Sequence, residues 1–447
     1  MGIVEIGRIE RYMKARRVWG RFYRATSYAR STLWMVPFLS IVLVLAITPA
    51  LRALDDATRW QLVGLNVAGA TAMFQTVITL SLSFMVFTFG SLLVAIQVAG
   101  GQMTPRIIAT TLLRDNVVRF SVGLFVFALV FAVMSLNRLG DRVQDLLAFV
   151  GALLGVACMA TFLFLIDYAA RLLRPISVLA RVGDHGITVI DAVYPDDVAA
   201  LDESTPPGSA VPATPARIVR HAGTAGIILA VDADTLVREA RDANGLVELV
   251  PQVGDFVAHE EPLFALYGGA AAIDDAALTA AIALGPERTL EQDPLFAFRI
   301  LVDIALKALS PAINDPTTAV LALDQVHRLL REVGKRRLQQ EEVLDDEGTP
   351  RLIRRTPNWG DYVHVSCQEI RTCGAANVQI ARRMRAMIEN LCAALPAFRA
   401  PALRAELDNL DQVIDTLYPI DGDRALARQA DAQGLGATSS PRASGWR

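Results

Sequence analysis

Arg299, Asp303 and Lys307 stand four apart and are the only charged residues between Leu295 and Leu309. A helix apolar on nearly every face is buried, so Arg299 and Asp303 are expected to be partly desolvated and paired, either with each other across one helical turn or with Asn314 and Asp315 just downstream. Immediately downstream, SPAINDPTTAVLALD (310–324) packs Asn314, Asp315 and two threonines between apolar stretches. Arg299, Asp303, Asn314 and Asp315 are therefore the candidate buried polar network. It is either a structural pairing that fixes a helical hairpin or a site that binds a ligand or gates. His364, Cys367 and Cys373 carry metal-donor atoms, but no fourth ligand has suitable spacing, so no metal site is expected. No Walker loop, dinucleotide fingerprint, HExxH or GxSxG occurs. No catalytic residue and no cofactor is expected, and an enzyme is disfavoured.

A second constellation lies near the N-terminal end of the chain. At ~100° per residue, Gln75, Thr79, Ser83, Gly90 and Gln97 fall within about a quarter turn of one helix. Ser81, Thr88 and Ser91 lie off that stripe. A polar amide in hydrocarbon is costly unless bonded or wetted. The stripe thus either packs against neighbouring helices or lines a hydrated path. It runs into GGQMTPR (100–106), where Gly100, Gly101 and Pro105 are expected to end the helix. Gln102, Thr104, Pro105 and Arg106 form a candidate inner-surface loop, with Arg106 suited to a lipid phosphate or an anionic solute.

The elements that must hold these residues follow from composition. The chain has 447 residues, 53% hydrophobic and 20% charged, which predicts a membrane part plus a soluble part. A net charge of −3 gives no basic face for nucleic acid. Lysine occurs only at Lys14, Lys307 and Lys335, so nearly every basic residue is arginine. The four cysteines (Cys158, Cys367, Cys373, Cys392) have no framework spacing, and reduced thiols are expected.

Four stretches are long enough to cross a ~30 Å hydrocarbon core: about 32–53, a run within 67–99, about 120–136, and about 146–169. Arg8, Arg11, Lys14, Arg16, Arg17, Arg21, Arg24 and Arg30 precede the first, Asp55 and Asp56 follow it, and Arg171, Arg174 and Arg181 follow the fourth. Basic flanks mark the cytoplasmic side, so both termini are expected to be cytoplasmic.

The predicted organisation is a basic segment (1–30), a four-helix transmembrane domain (31–175), a helical extension (176–201) and a Pro/Ser/Thr-rich linker (202–215). A small β-rich, barrel-like module (216–268), a helical domain (269–420) and a disordered tail (421–447) complete it. The fold class is thus membrane α-helical followed by a cytoplasmic α+β region. VGDFVAHEEPLFAL resembles the strand-turn-strand of biotinyl and lipoyl domains, but its module has no lysine to carry a prosthetic group. Asp293-Pro294 and Asp315-Pro316 each predict a helix start, with aspartate as N-cap and proline at the first position. Residues 335–357 read as a charged excursion.

VAIQVAGGQMTPRII and FAFRILVDIALKALSPAINDPTTA together resemble a bacterial family of predicted membrane proteins, the domain of unknown function twenty-two fifty-four. The likeness spans about 30–420 and rests on Gln97, Gln102, Pro105, Arg106, Arg299, Asp303, Asn314, Asp315 and Pro316. Gly100-Gly101 departs from the small hydroxyl residues of the family pattern. The resemblance implies a polytopic inner-membrane protein with a C-terminal soluble region, and no substrate. Two functional classes follow. One is a homo-oligomeric channel or solute conduit, carrying a small solute or ion and gated by its cytoplasmic domain. The other is a membrane-anchored sensor or scaffold whose cytoplasmic domain binds a partner.

Overall fold

The computed structural model describes residues 34–58, 64–102, 115–139, 143–172, 174–198, 214–338 and 342–437. The chain divides into two compact units, with the boundary between Val178 and Leu179.

The first unit consists of α1 (Met35–Thr58), α2 (Val67–Gln102), α3 (Asn116–Leu136) and α4 (Asp145–Leu172). All four are long and apolar enough to cross a membrane. α3 is the central helix, packed against the other three, with half of its apolar window buried. It starts upstream of the apolar run expected from Phe120, because Asp115 accepts from the amides of Val117 and Val118 and caps it. Gly123 on α3 lets α1 approach closely, since a Cβ there would lie 2.8 Å from Val36 Cγ1. Phe84, Phe125 and Phe162 fill the middle, with Phe84 stacked on Phe162 at 4.1 Å. Leu39, Leu43, Val86, Leu93, Val156 and Leu163 point outward, a surface suited to hydrocarbon and penalised by water. α2 continues through Gly100 and Gly101 to Gln102, so those glycines do not end it as expected. Helical glycine costs only about 1 kcal/mol.

The unit boundary falls inside α5 (Pro175–Val193). The second unit begins its β region with β1 (Arg217–Arg220), β2 (Gly226–Val231), α6 (Ala233–Asp242), β3 (Gly245–Leu249), β4 (Phe256–Val257) and β5 (Pro262–Gly268). Next come α7 (Asp275–Ala280) and β6 (Ile282–Gly285), then α8 (Pro294–Ala308) and α9 (Pro316–Val333). β7 (Glu342–Leu344) and β8 (Pro350–Arg354) precede α10 (Trp359–Gly374), α11 (Val378–Ala394), α12 (Ala400–Leu417) and α13 (Asp421–Ala427).

The strands form no closed barrel. They make a five-stranded sheet in the order β1-β5-β3-β8-β7 and a three-stranded sheet in the order β4-β2-β6. The barrel-like expectation is corrected here: β4 and β5, read as one strand-turn-strand, belong to different sheets. The sheets also recruit β6, β7 and β8 from beyond the predicted module. β8 pairs in parallel with β3, Val247 opposite Leu352, so the charged excursion supplies a buried strand. Local composition could not show this, because a parallel partner arrives from far along the chain.

Around α8–α12 the helices form a bundle. Asp293 accepts from the Phe296 amide and Asp315 from the Thr318 amide, and each is followed by proline at the first helical turn. Gly334 ends α9 at φ −65°, so it is needed for space rather than for handedness. A Cβ would lie 2.6 Å from Leu395 Cδ1. α11 is buried from Ile380 through Ile388 despite three arginines, because each carries its charge to a different neighbour. Arg383 binds Asp324 on α9, and Arg385 binds Asp411 on α12. Arg382 donates to the carbonyls of Gln429, Gly436 and Ala437. The tail expected to be disordered from 421 is thus ordered through Ala437: α13 forms, and the turn beyond it is tied down by Arg382 and by the buried Asp431.

Candidate functional site

Gln75, Thr79, Ser83, Gly90 and Gln97 are all exposed on the first unit. The buried face of α2 carries Phe74, Val77, Ser81, Phe84, Thr88 and Leu92. At about 100° per residue the stripe centres roughly half a turn from that face. Packing within the subunit therefore engages the off-stripe hydroxyls. Ser81 Oγ lies 4.0 Å from Cys158 Sγ, and Thr88 donates to the Phe84 carbonyl at 2.7 Å. On the stripe, Thr79 donates to the Gln75 carbonyl at 2.9 Å. Among the described residues the Gln75 amide and the Ser83 hydroxyl make no hydrogen bond. The stripe offers amide and hydroxyl dipoles outward, interleaved with Val86 and Leu93. It contains no nucleophile paired with a base.

The inner-surface loop lies outside the described residues. Thr104, Pro105 and Arg106 are not described, and Gln102 is described only as the last helical residue of α2.

In the second unit, the predicted network forms in part. Arg299 Nε donates to Asp303 Oδ1 at 2.7 Å along α8. Its Nη1 and Nη2 reach across to both carboxylate oxygens of Glu369 on α10, Nη2 at 2.9 Å. The hydrogen bonds it donates to Glu369, ahead of the one to Asp303, hold the guanidinium above its ordinary pKa despite burial, and Arg299 in turn holds Glu369 below the usual carboxylate range. Asn314 and Asp315 do not join this network. Asn314 is exposed at φ +49°, a left-handed turn position that asparagine tolerates. Asp315 is spent on the amide and hydroxyl of Thr318. Glu369 was not singled out in the sequence because nothing local links it to α8.

A second polar cluster went unread. Tyr194, beyond α5, and Tyr362 on α10 are fully buried with their hydroxyls 3.1 Å apart. Burial pushes the Tyr194 phenol up to about 12 and that of Tyr362 well above its ordinary value. Asp293 acts on both rings. Its Oδ2 is buried without a hydrogen-bond partner, 3.9 Å from Arg288 Nε, and burial pushes its carboxyl up to about 6. Arg288 donates to the Gly254 carbonyl, joining the turn before β4 to the start of α8. Gly254 leaves room for this carboxyl, since a Cβ there would lie 2.5 Å from Asp293 Oδ2.

Among the described residues no group of three His, Cys, Asp or Glu is arranged to hold a metal. Cys367 is buried on α10, whereas His364 and Cys373 are exposed. Comparison with known proteins returns relatives that match over most of the chain. An uncharacterized protein of Mycobacterium bovis is 24% identical over 436 residues, covering 93% of this chain and 82% of the relative. Uncharacterized proteins from two strains of Mycobacterium tuberculosis match to the same extent. No solved structure matches. The family model described as "Predicted membrane protein (DUF2254)" matches residues 30–390, a stretch that takes in all four apolar helices and both signature segments, and the chain belongs to that family of predicted membrane proteins.

Proposed function

We propose that the protein is a homo-oligomeric membrane conduit for a small solute or ion, with α2 of each copy lining the path and the second unit gating it. The observation that carries this reading is the outward stripe of α2. Gln75, Thr79, Ser83, Gly90 and Gln97 point away from the subunit's own core, so in a bilayer they meet lipid, water or another copy. Lipid is the costly choice for an amide such as Gln75, which has no partner among the described residues. Several copies that bring their stripes together give those groups water and each other. In this reading the protein sits in a bacterial inner membrane with both termini cytoplasmic, supported by the arginine-rich segments before α1 and after α4.

The experiment is thiol accessibility in membranes, using a background without Cys158, Cys367, Cys373 and Cys392. Cysteines at Thr79, Ser83 and Gly90 react with small water-soluble reagents, because the reactive thiolate forms in water and hardly in hydrocarbon. Cysteines at Phe84, in the core, and Leu163, on the outer face of α4, stay protected. Protection at every position removes the conduit and leaves the membrane-anchored sensor or scaffold.

A further inference from the structure

Where α3 ends and α4 begins, the first unit has a small cavity lined by Phe74, Ser135, Arg138, Leu139, Gln144 and Leu147, with room for about one water-sized group. Its polar lining is unspent. Ser135 is 4% exposed and its Oγ has no hydrogen-bond partner. The Arg138 side chain makes no hydrogen bond or ion pair among the described residues. Behind it lies Arg52 of α1, 8% exposed. Arg52 Nη2 donates to the Met134 carbonyl at 2.6 Å, while its Nε is buried without a partner. The nearby buried acid, Asp55, is occupied by the Leu146 amide at 3.0 Å and forms no ion pair with either arginine. Buried charges are ordinarily paired. Here one cation, Arg138, and the orphaned Ser135 hydroxyl line a cavity that holds no acidic side chain among the described residues.

We propose that this end of the helical unit is an anion site that receives one oxygen of a phosphate group, held by Ser135 Oγ–H, Arg138 and the Gln144 amide, with Arg52 supplying a second positive charge. A lone water would satisfy Ser135 but leave Arg138 without a counter-charge; an anion answers both. The cavity's size admits a single oxygen, so the rest of the phosphate lies outside, on the side of the exposed Arg138. A phospholipid headgroup and free inorganic phosphate share this chemistry. The site does not depend on the conduit reading, since every residue in it belongs to one copy.

The test uses the full chain in detergent micelles. Inorganic phosphate is titrated while the thermal midpoint is followed, with chloride at matched ionic strength as the control. Native mass spectrometry reads retained phospholipid in the same preparation. If the source is free phosphate, it raises the midpoint beyond the chloride control. If the source is lipid, a phospholipid stays bound through purification. In either case Arg138→Gln weakens binding about tenfold, the loss of one charged hydrogen bond. Ser135→Ala also weakens it, yet leaves the midpoint of the anion-free protein unchanged or higher, because an unpartnered buried hydroxyl stabilises nothing. Equal responses to chloride and phosphate with no retained lipid overturn the site. So do variants that bind as well as the parent, or a Ser135→Ala protein whose anion-free midpoint falls.

Discussion

Arg299 and Glu369 are 70 residues apart in sequence and meet in a two-pronged contact, Nη2 donating to Oε2 at 2.9 Å. The contact ties α8 to α10 and leaves Arg299 with two carboxylate partners, Asp303 along its own helix and Glu369 across the gap. Removing either acid leaves the other in place. Asp303→Ala therefore costs about 1 kcal/mol, not the roughly 3 kcal/mol of a stranded buried charge. The double variant with Glu369→Ala exceeds the sum of the single costs, because only then does Arg299 lose both partners. Denaturant unfolding of the full chain in micelles measures the four corners of that cycle.

The same contact has an acid limit. Glu369 is held below its ordinary range by Arg299, so its stabilising contribution is complete above the ordinary glutamate value. It is lost as pH falls through the depressed one. Glu369→Gln flattens this acid limb of the stability profile and leaves the neutral region with a small constant loss.

Asp293 has the opposite sign. Its carboxyl is raised to about 6, mainly by burial, so the folded protein favours the protonated form. Stability contributed by that protonation is present below the ordinary aspartate value and falls as pH rises through about 6. Asparagine caps helices as well as aspartate and carries no charge. Asp293→Asn is expected to remove the decline and to be more stable than the parent at pH 8, by on the order of 2 kcal/mol. Unfolding midpoints at pH 5 and pH 8 check this; a parent that gains stability between them refutes it.

Arg382 holds the turn that follows α13 through three carbonyls. Arg382→Met keeps the packing of the stem and removes those donors. The expected loss is about 3 kcal/mol, together with rapid amide exchange at Gln433, Gly434 and Gly436. Hydrogen exchange that stays slow at those amides shows that Asp431 alone secures the turn.

The two faces of α2 separate by substitution. Ser81→Leu forces bulk against Cys158 and destabilises by about 1–3 kcal/mol. Ser83→Leu, on the outward stripe, leaves the midpoint unchanged and reduces solute flux if the conduit reading is right. Equal midpoints for both variants contradict the packing of α2 described above.

Some of this was legible residue by residue. The four apolar helices needed only length and hydropathy, because a bilayer imposes a fixed span on a continuous segment. The starts at Asp293-Pro294 and Asp315-Pro316 were equally plain, because a cap and its amides lie within one turn of each other. Helical spacing offered Asp303 as one partner of Arg299, with Asn314 and Asp315 as the alternatives, and the structure takes the one within the helix. Glu369, Tyr194 and Arg354's strand were not legible, since their partners come from other elements.

What the amino-acid sequence determined by itself was local: which segments are helices apolar enough for lipid, where they begin, and that Gln75, Thr79, Ser83, Gly90 and Gln97 share one side of α2. Tertiary structure alone decided which side that is. The larger apolar residues Phe74, Val77 and Phe84 turn inward against α3 and α4, because burying their area outweighs burying small hydroxyls, and the stripe is left facing out. It likewise decided that a charged excursion becomes β7 and β8, and that Arg382, Arg383 and Arg385 on α11 reach three different neighbours. Hydrophobic periodicity is written along one segment; the partner of a buried charge is chosen by whichever distant segment the fold brings within reach.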